Sequence, residues 1–566
     1  MTGEFKRQSR LPAYRINVYA ISPRHPLGVK PSGNVLLVTE NLEETKKRRA
    51  MLLGDFAKFS EELLLEVLTY LNDQDLKNLS HCSRILYAYA YSEDLWRNMY
   101  MKEYCRLGKA HSCGEIVPFA SQKWRGSWRK SVLGIAHEAL PQSNDLIFSD
   151  ILYRPYQCSK INYRMLFKDI IELEEKSYHC CHSLNKQFGI ERFREEDILQ
   201  EGFKTKYVEK PFILQSATVR DRWPNWDLDH LLKMFPEKCF RQEAVQWKLS
   251  KYIDYARNNM DESPLYLFDC NGSPIKQIAE QYVSPSLFKS DFFKLFKKEG
   301  IKCRPDHRWL IAGPERSGST FHKDPNQTSA WNTVLSGMKL WIMLPPEVKP
   351  PGVSTDKDED EVTAPVGISE WILSGFYNDS VQLALQGQCL IGITFPGECI
   401  YVPSGWWHSV INLTDTVALT ENFVPEPVLG KVLYFLKNKK SQISGFHAKD
   451  VVRSVRAFIN ESRDNVSTDD EDNYIQILQD FLDNSENYEL DNEDCGVKSY
   501  SELELPIFEF FIELIKKSPH RDALPAALKC LHEMEGRVNN IAKKSAMWQK
   551  LKGSDEMTFS FGLSVE

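Results

Sequence analysis

The sequence contains no apolar run approaching the ~18–20 residues that a bilayer-spanning helix requires, which argues against a helical membrane protein. Its first residues, MTGEFKRQSRLPAYRINVYAIS, lack the charged-then-apolar layout of a secretory signal, so a chain outside the secretory route is expected. Thirteen cysteines are present, yet none are paired at C-x-x-C spacing. The pattern predicts reduced, mostly buried thiols of a cytosolic or nuclear protein. Adjacent residues cannot all face one ion from a regular helix, so His179, Cys180, Cys181 and His182 do not make a metal motif. An excess of positive charge is missing too. Lys and Arg number 71 against 78 Asp and Glu, a formal net charge of −7, so there is no global pull toward nucleic acid, although a local basic patch stays open.

What is present is ample apolar material: 42% hydrophobic and 12% aromatic residues in a chain of 566, too long for one core and therefore divided into several pieces. Residues 1–50 read as an N-terminal extension. Within it Lys46-Lys47-Arg48-Arg49 is a basic run that fits either a nuclear localisation signal or a solvated helix start. Residues 51–105 turn helical. Ser60 is placed to cap a helix with Glu61 and Glu62 in its first turn, and Leu64, Val67, Leu68 and Leu71 recur at helical spacing. Asp75 is placed to cap a second helix, and a third stretch ends in Asp94-Leu95-Trp96-Arg97. This order of signals resembles an F-box, with Ser60 where that family usually has Pro and Leu86-Tyr87 where it usually has Trp. The resemblance implies that Leu64, Leu68 and their apolar neighbours dock a Skp-type adaptor and through it a cullin ubiquitin ligase.

Residues 106–205 read as a mostly helical connector, with Trp124 and Trp128 as packing anchors between the helical domain and the β-rich part of the chain. From 206 to 426 the texture changes to short β-rich runs (PFILQSA, PLYLFD, RWLIAG, KLWIMLP, GITFPG, CIYVPS, TVALTENFV) separated by turn residues, the pattern of a sandwich or barrel. Ser354 to Thr363 is strongly acidic and reads as an exposed loop. Residues 427–566 return to helix, with an acidic, flexible stretch from Asn465 to Cys495.

The chemistry sits in the β-rich part. His322 and Asp324 are two residues apart, and on a strand such residues share a face, so an imidazole and a carboxylate can converge on one ion. His408 comes after a β-rich run and a sharp turn allowed by Gly405, and is well placed as a third ligand. Two histidines and a carboxylate form the facial triad of non-haem iron(II) sites that keep positions open.

The strings Arg316-Ser317-Gly318-Ser319-Thr320-Phe321-His322-Lys323-Asp324-Pro325, Ser329-Ala330-Trp331-Asn332, Gly337-Met338-Lys339-Leu340-Trp341, Pro403-Ser404-Gly405-Trp406-Trp407-His408 and Thr420-Glu421-Asn422-Phe423 occur in that order. Together they resemble the JmjC oxygenases, particularly the phosphatidylserine-receptor-like branch. The resemblance implies a multidomain α+β protein: a small helical F-box, a double-stranded β-helix (jelly-roll or cupin) domain, and a helical C-terminal region. It makes His322, Asp324 and His408 ligands of iron(II), pairs Lys339 with the distal carboxylate of the cosubstrate 2-oxoglutarate, and gives Ser319, Asn332, Thr420, Asn422 and Tyr266 hydrogen bonds around it. Trp331, Trp341, Trp406 and Trp407 are read as packing. The expected activity is that of a lysyl or arginyl hydroxylase or demethylase, with histones among the possible substrates and the nucleus as location. The competing reading is a catalytically inactive cupin that serves as the binding module of a ubiquitin-ligase receptor.

Overall fold

In the computed structural model the described residues are 17–22, 42–110, 123–135, 150–216, 222–270, 272–356, 359, 362–364, 366–462, 474–485, 488–489, 498–499 and 503–552. The N-terminal helical signals become α1 (Leu42–Leu53), α2 (Glu61–Leu68), α3 (Asp73–Ser80), α4 (Arg84–Ala90) and α5 (Glu93–Ala110). Ser60 caps α2, its side chain accepting from the Leu63 amide at 3.2 Å. At α3 the cap is Asn72 rather than Asp75. The Asn72 Oδ1 accepts from the Asp75 amide at 2.8 Å while its amide donates back to the Asp75 carboxylate at 2.8 Å, so Asp75 is the reciprocal partner of the cap. A second correction concerns α2. Leu64 and Leu68 are buried inside the helical domain, and the exposed apolar residues are Leu63 and Tyr70, with Phe59 beside them. The basic run Lys46–Arg49 lies on α1, where Lys46 pairs with Glu43 and Arg49 reaches the Ala57 carbonyl.

The helical domain does not hang from a linker. Arg97 on α5 reaches toward Asp261 and Glu243 and donates to the Ser263 carbonyl at 3.1 Å. Tyr100 accepts from Trp247 Nε1 at 3.0 Å and Lys251 Nζ at 3.1 Å. Trp124 and Trp128, the latter opening α6 (Trp128–Leu133), fill the seam as the sequence suggests: their indole N–H groups bond the Asn258 carbonyl and Asp261, and their rings stack among Tyr100, Trp247 and Tyr255. Each of these side chains contributes roughly 1.5–3 kcal/mol by leaving water, so the seam is a shared core.

In chain order the strands are β1 (Glu191–Arg194), β2 (Phe212–Gln215), β3 (Cys239–Gln242), β4 (Val245–Lys248), β5 (Leu267–Asp269), β6 (Lys297–Lys298), β7 (Ile301–Lys302), β8 (Arg308–Gly313), β9 (Gly318–His322), β10 (Ser329–Ser336), β11 (Lys339–Leu344), β12 (Ser354–Thr355), β13 (Val362–Thr363), β14 (Leu390–Thr394), β15 (Glu398–Val402), β16 (Trp407–Asn412) and β17 (Thr416–Phe423). Nine of them form one sheet in the order β1-β2-β15-β10-β17-β8-β5-β3-β4, and a second sheet runs β14-β11-β16-β9. β1 lies in the segment read as connector, so the sheet begins earlier than residue 206. The acidic loop is pinned at its base by β12 and β13, and its Glu359 pairs with Lys323 at 2.5 Å.

Side-chain parity assigns the two faces of each sheet. On β11, Leu340, Ile342 and Leu344 pack outward against helices, whereas Trp341 and Met343 point between the sheets. On β10 and β17, Trp331 and Leu419 face a core that runs without a break from Leu64 through Tyr401 to Phe511 of the C-terminal helices. Those helices include α7 (Leu429–Asn438), α8 (Ala448–Ser462), α9 (Ile475–Ser485), α10 (Ile507–Lys516) and α11 (Leu524–Lys552). Part of the stretch read as flexible is thus helical: α9 buries Leu478 and Phe481. Most of the remainder of 465–495 lies outside the described residues. The thiols also differ from expectation. Cys158, Cys303, Cys389 and Cys399 are buried, but Cys82, Cys105, Cys180 and Cys239 are exposed, and those described are all unpaired. Among the described residues no helix is long and apolar enough to cross a membrane.

A buried triad ties the two sheets together. Arg192 on β1 meets Glu174 at 2.8 Å and Glu398 on β15 at 3.0 Å, and donates to the Ile393 carbonyl of β14, with all three side chains out of solvent. Burial holds the Glu398 carboxyl above its ordinary range, while Arg192 opposes the shift. Arg192→Leu is therefore expected to cost about 3–5 kcal/mol at pH 7, since it leaves carboxylates buried without their cation. With Arg192 gone, Glu398 rises further. A carboxyl raised in the folded state gives stability that is present below its unfolded pKa, about 4.3, and lost as pH climbs through the folded value. Urea denaturation from pH 5 to 8 should show the deficit of the variant widening with pH; a constant deficit would contradict the assignment.

Candidate active site

Inward parity on six strands builds one chamber. Tyr266 just before β5 and Phe268 on it, Trp309 and Ile311 on β8, Ala330 and Asn332 on β10, Lys339 and Trp341 on β11, His408 and Val410 on β16, and Thr420 and Asn422 on β17 all line it, a cavity of about 230 Å³. Ser319, His322 and Asp324 complete the wall, so every residue nominated from sequence reaches the same chamber. Phe268, Trp309 and Ile311 were not singled out by sequence reading. The alternation along RWLIAG placed Trp309 and Ile311 on one face, but nothing local said which face was inside.

His322 is the last residue of β9, directly opposite His408 in the β9–β16 ladder. Asp324 lies just past the strand, extended at φ −63° and ψ 145°, where it precedes a single 3-10 turn. The same-face argument thus holds although only one of the pair is on the strand. Gly405, at φ +75°, makes the turn into β16, a left-handed conformation that favours glycine. The three candidate ligand atoms lie within 4.8 Å of one another, and no other such group occurs among the described residues.

The local hydrogen bonds suit a cation. His322 Nδ1 sits 2.8 Å from the Thr320 carbonyl and His408 Nδ1 3.1 Å from the Trp406 carbonyl. Each Nδ1–H is thereby donated to the backbone, leaving the Nε2 lone pair for a metal. Burial, and then the neighbouring His322, press the His408 imidazole well below its usual pKa, so it is neutral and able to ligate. Burial raises the Asp324 carboxyl, partly opposed by His322 and Asn422. Its Oδ2 is buried without a hydrogen-bond partner, a costly state that a bound cation relieves. The residues present therefore fit a divalent metal.

Across the chamber Lys339 is buried, and its Nζ donates to the Tyr266 hydroxyl at 2.9 Å. Among the described residues no carboxylate pairs with it, and burial alone lowers its pKa to about 7. Asn332 Oδ1 is likewise buried with no partner. Two groups nominated from sequence also bond within the protein: Thr420 Oγ1 donates to the Trp331 carbonyl, and the Asn422 amide donates to Thr328 Oγ1, both at 2.8 Å. The tryptophans pack, as expected, but Trp341 also forms part of the chamber wall and stacks 6.2 Å from His408.

Comparison with known proteins agrees with this geometry. Residues 229–428 match the Cupin-like domain family and residues 61–102 the F-box-like family. Arginine-specific demethylase JMJ22 of Arabidopsis thaliana is 33% identical over 451 residues, spanning 76% of this chain and 80% of that protein. The bifunctional arginine demethylase and lysyl-hydroxylase psr-1 of Caenorhabditis elegans is 35% identical over 254 residues, 42% of this chain and 61% of the relative. The 2-oxoglutarate and iron-dependent oxygenase JMJD4 of Homo sapiens is 29% identical over 234 residues, 38% of this chain and 53% of the relative. On its cupin fold, its cluster of His322, Asp324 and His408 and a similarity to JMJ22 that extends over most of both proteins, the chain belongs to the JmjC family, with an F-box-like domain built onto its oxygenase-type barrel.

Proposed function

We propose that the protein is an iron(II)- and 2-oxoglutarate-dependent oxygenase acting on lysyl or arginyl residues of proteins, joined through its F-box to a Skp-type adaptor and cullin ligase. The observation that carries the reading is the pairing of two unmet needs in one chamber. The Asp324 carboxylate oxygen lacks a partner beside two histidines with free Nε2 atoms, and Lys339 is buried without a counter-charge opposite them. A divalent cation answers the first need and a small dicarboxylate the second.

In this reading His322, Asp324 and His408 hold iron on one face and leave its other positions open. Iron with 2-oxoglutarate and dioxygen supplies oxidative C–H chemistry, with succinate and carbon dioxide as by-products. The chain does the rest. Lys339 and the Tyr266 hydroxyl grip the distal carboxylate, and Asn332 Oδ1 and Thr420 lie along the same wall. Ala330, Trp341, Val402 and Val410 keep water from the reacting end. Phe268 and Trp309, half-exposed, offer flat faces to an incoming cationic side chain. Relatives named for both arginine demethylation and lysyl hydroxylation support the substrate class, and the choice between the two outcomes rests on whether the hydroxylated carbon is attached to nitrogen. The exposed Lys46 and Lys47 favour the nucleus as location.

Purified protein supplied with iron(II) and 2-oxoglutarate is expected to release succinate without added substrate, and His322→Ala and Lys339→Ala should each lower the rate at least tenfold. Absence of both release and binding of metal and 2-oxoglutarate would leave a receptor with a cupin-shaped binding domain. Binding should also depend on pH. Lys339 has to be protonated to pair with the anion, and in the free protein its pKa is about 7. Calorimetry with manganese(II) in place of iron should therefore show proton uptake and a loss of affinity of about tenfold per unit above pH 7. Lys339→Arg, whose charge does not titrate in that range, should lose this dependence. For the F-box, Leu63→Asp with Tyr70→Asp should abolish co-purification with a Skp-type adaptor while leaving thermal stability unchanged, because both side chains are exposed.

A further inference from the structure

A second cavity, of about 790 Å³, lies on the outer side of the larger sheet. Its wall carries six cationic side chains: Lys276, Lys297, Lys298, Lys302, Arg304 and Arg308. Two carboxylates, Glu280 and Asp306, share that wall. Behind it Asp291 meets Arg304 at 2.7 Å and Glu421 meets Arg308 at 3.3 Å. Among the described residues no carboxylate pairs with any of the four lysines. Arg304 and Arg308 each keep a buried Nε without a hydrogen-bond partner.

A row of exposed lysines is ordinarily a solvated face, and three features set this one apart. It is concave. It collects unpaired positive charge in a chain whose net charge is −7. Finally, burial and then the flanking Arg304 and Arg308 drive the nearby His307 down to about 3, so the locality already resists one more proton. The scaffold is firm: β6 and β7 form a hairpin turned by Gly300 at φ +77°, and the Lys302 amide bonds Ser454 on α8 at 3.0 Å.

We propose that this basic cavity docks an acidic segment of a partner protein, its lysines taking the segment's carboxylate or phosphate oxygens. The wall holds no phenyl, phenol or indole ring, and its two guanidinium groups are engaged by Asp291 and Glu421, which leaves His307 as its one ring for bases and favours a peptide over single-stranded nucleic acid. Arg308 and Glu421 face this cavity side of β8 and β17, while Trp309, Ile311, Thr420 and Asn422 on the same strands line the catalytic chamber. The Asn422 backbone N–H donates to the His307 carbonyl at 2.7 Å. A partner seated here is held on the opposite face of the strand pair that carries the chamber, at the end where Asn422 meets Asp324. The docking does not depend on the oxygenase reading, since it needs neither metal nor cosubstrate.

The test is fluorescence anisotropy on the full chain with two labelled ten-residue peptides, one rich in glutamate and one rich in phosphoserine, and with a decaribonucleotide. At least one peptide should bind, with affinity falling as salt rises. Lys297→Glu, Lys298→Glu and Lys302→Glu combined should weaken binding at least tenfold, and the corresponding three arginine substitutions should preserve it. All three lysines are exposed, so an unchanged melting temperature checks that the reversal variant folds. Reversal of Lys46, Lys47 and Arg48 on α1 should leave binding intact. Which peptide binds more tightly identifies the oxygen source. Failure of both peptides to bind, or equal binding by wild type and the triple reversal, overturns the proposal. So does a decaribonucleotide that binds more tightly than either peptide and is lost in the same variant.

Discussion

The closing of β9 onto β16 is the constraint on which the site depends. It sets His322 opposite His408 across a ladder, with their rings 4.2 Å apart, before any ion is considered. Register is unforgiving here: a slip of one residue would turn every side chain of β16 over, sending His408 outward and Trp407 into the chamber. Several local features hold the register. β16 lies between β11 and β9, the turn before it needs the positive φ of Gly405, and the Asn412 amide bonds Ser317 at its far end. Outward Trp407 and Ile411 then sink into a core that no polar residue could replace without loss.

Much of this was legible in the sequence. The seven β-rich runs correspond to strands, the three candidate ligands converge, and the ordered motifs carry the fold class. What was missed has physical causes. β4 is an edge strand and β3 its neighbour, both of mixed polarity with exposed residues at every second position, and they carry no continuous apolar signal. β1 hides its meaning in Arg192, a charge at a fully buried position that reads as surface until Glu174 and Glu398 are found around it. Leu64 and Leu68 illustrate the limit of periodicity. Spacing showed that they share a helix face, but not whether that face met a partner or the protein's own core.

The chamber and its surroundings divide their electrostatics. Inside, one unpaired carboxylate oxygen and one unpaired lysine face each other through about 230 Å³ of mostly apolar wall, each costly in isolation. Near its walls two charges are neutralised by neighbours, Lys323 by Glu359 and Arg308 by Glu421. In the chamber, bound ligands rather than side chains would complete the balance.

The seam between the helical domain and the barrel has a consequence for how the two halves exist at all. Trp247 and Tyr255 are covered in part by Tyr100, Trp124 and Trp128, and Asp261 receives its hydrogen bonds from both sides. A barrel released from the F-box and from the segment carrying Trp124 and Trp128 by proteolysis or alternative splicing would present this aromatic floor to water, together with a carboxylate stripped of its indole donor. Neither fragment is a self-sufficient unit. The F-box here is as much a lid on the barrel's own interior as a handle for other proteins, and whatever grips it also aims the chamber, with no joint in between.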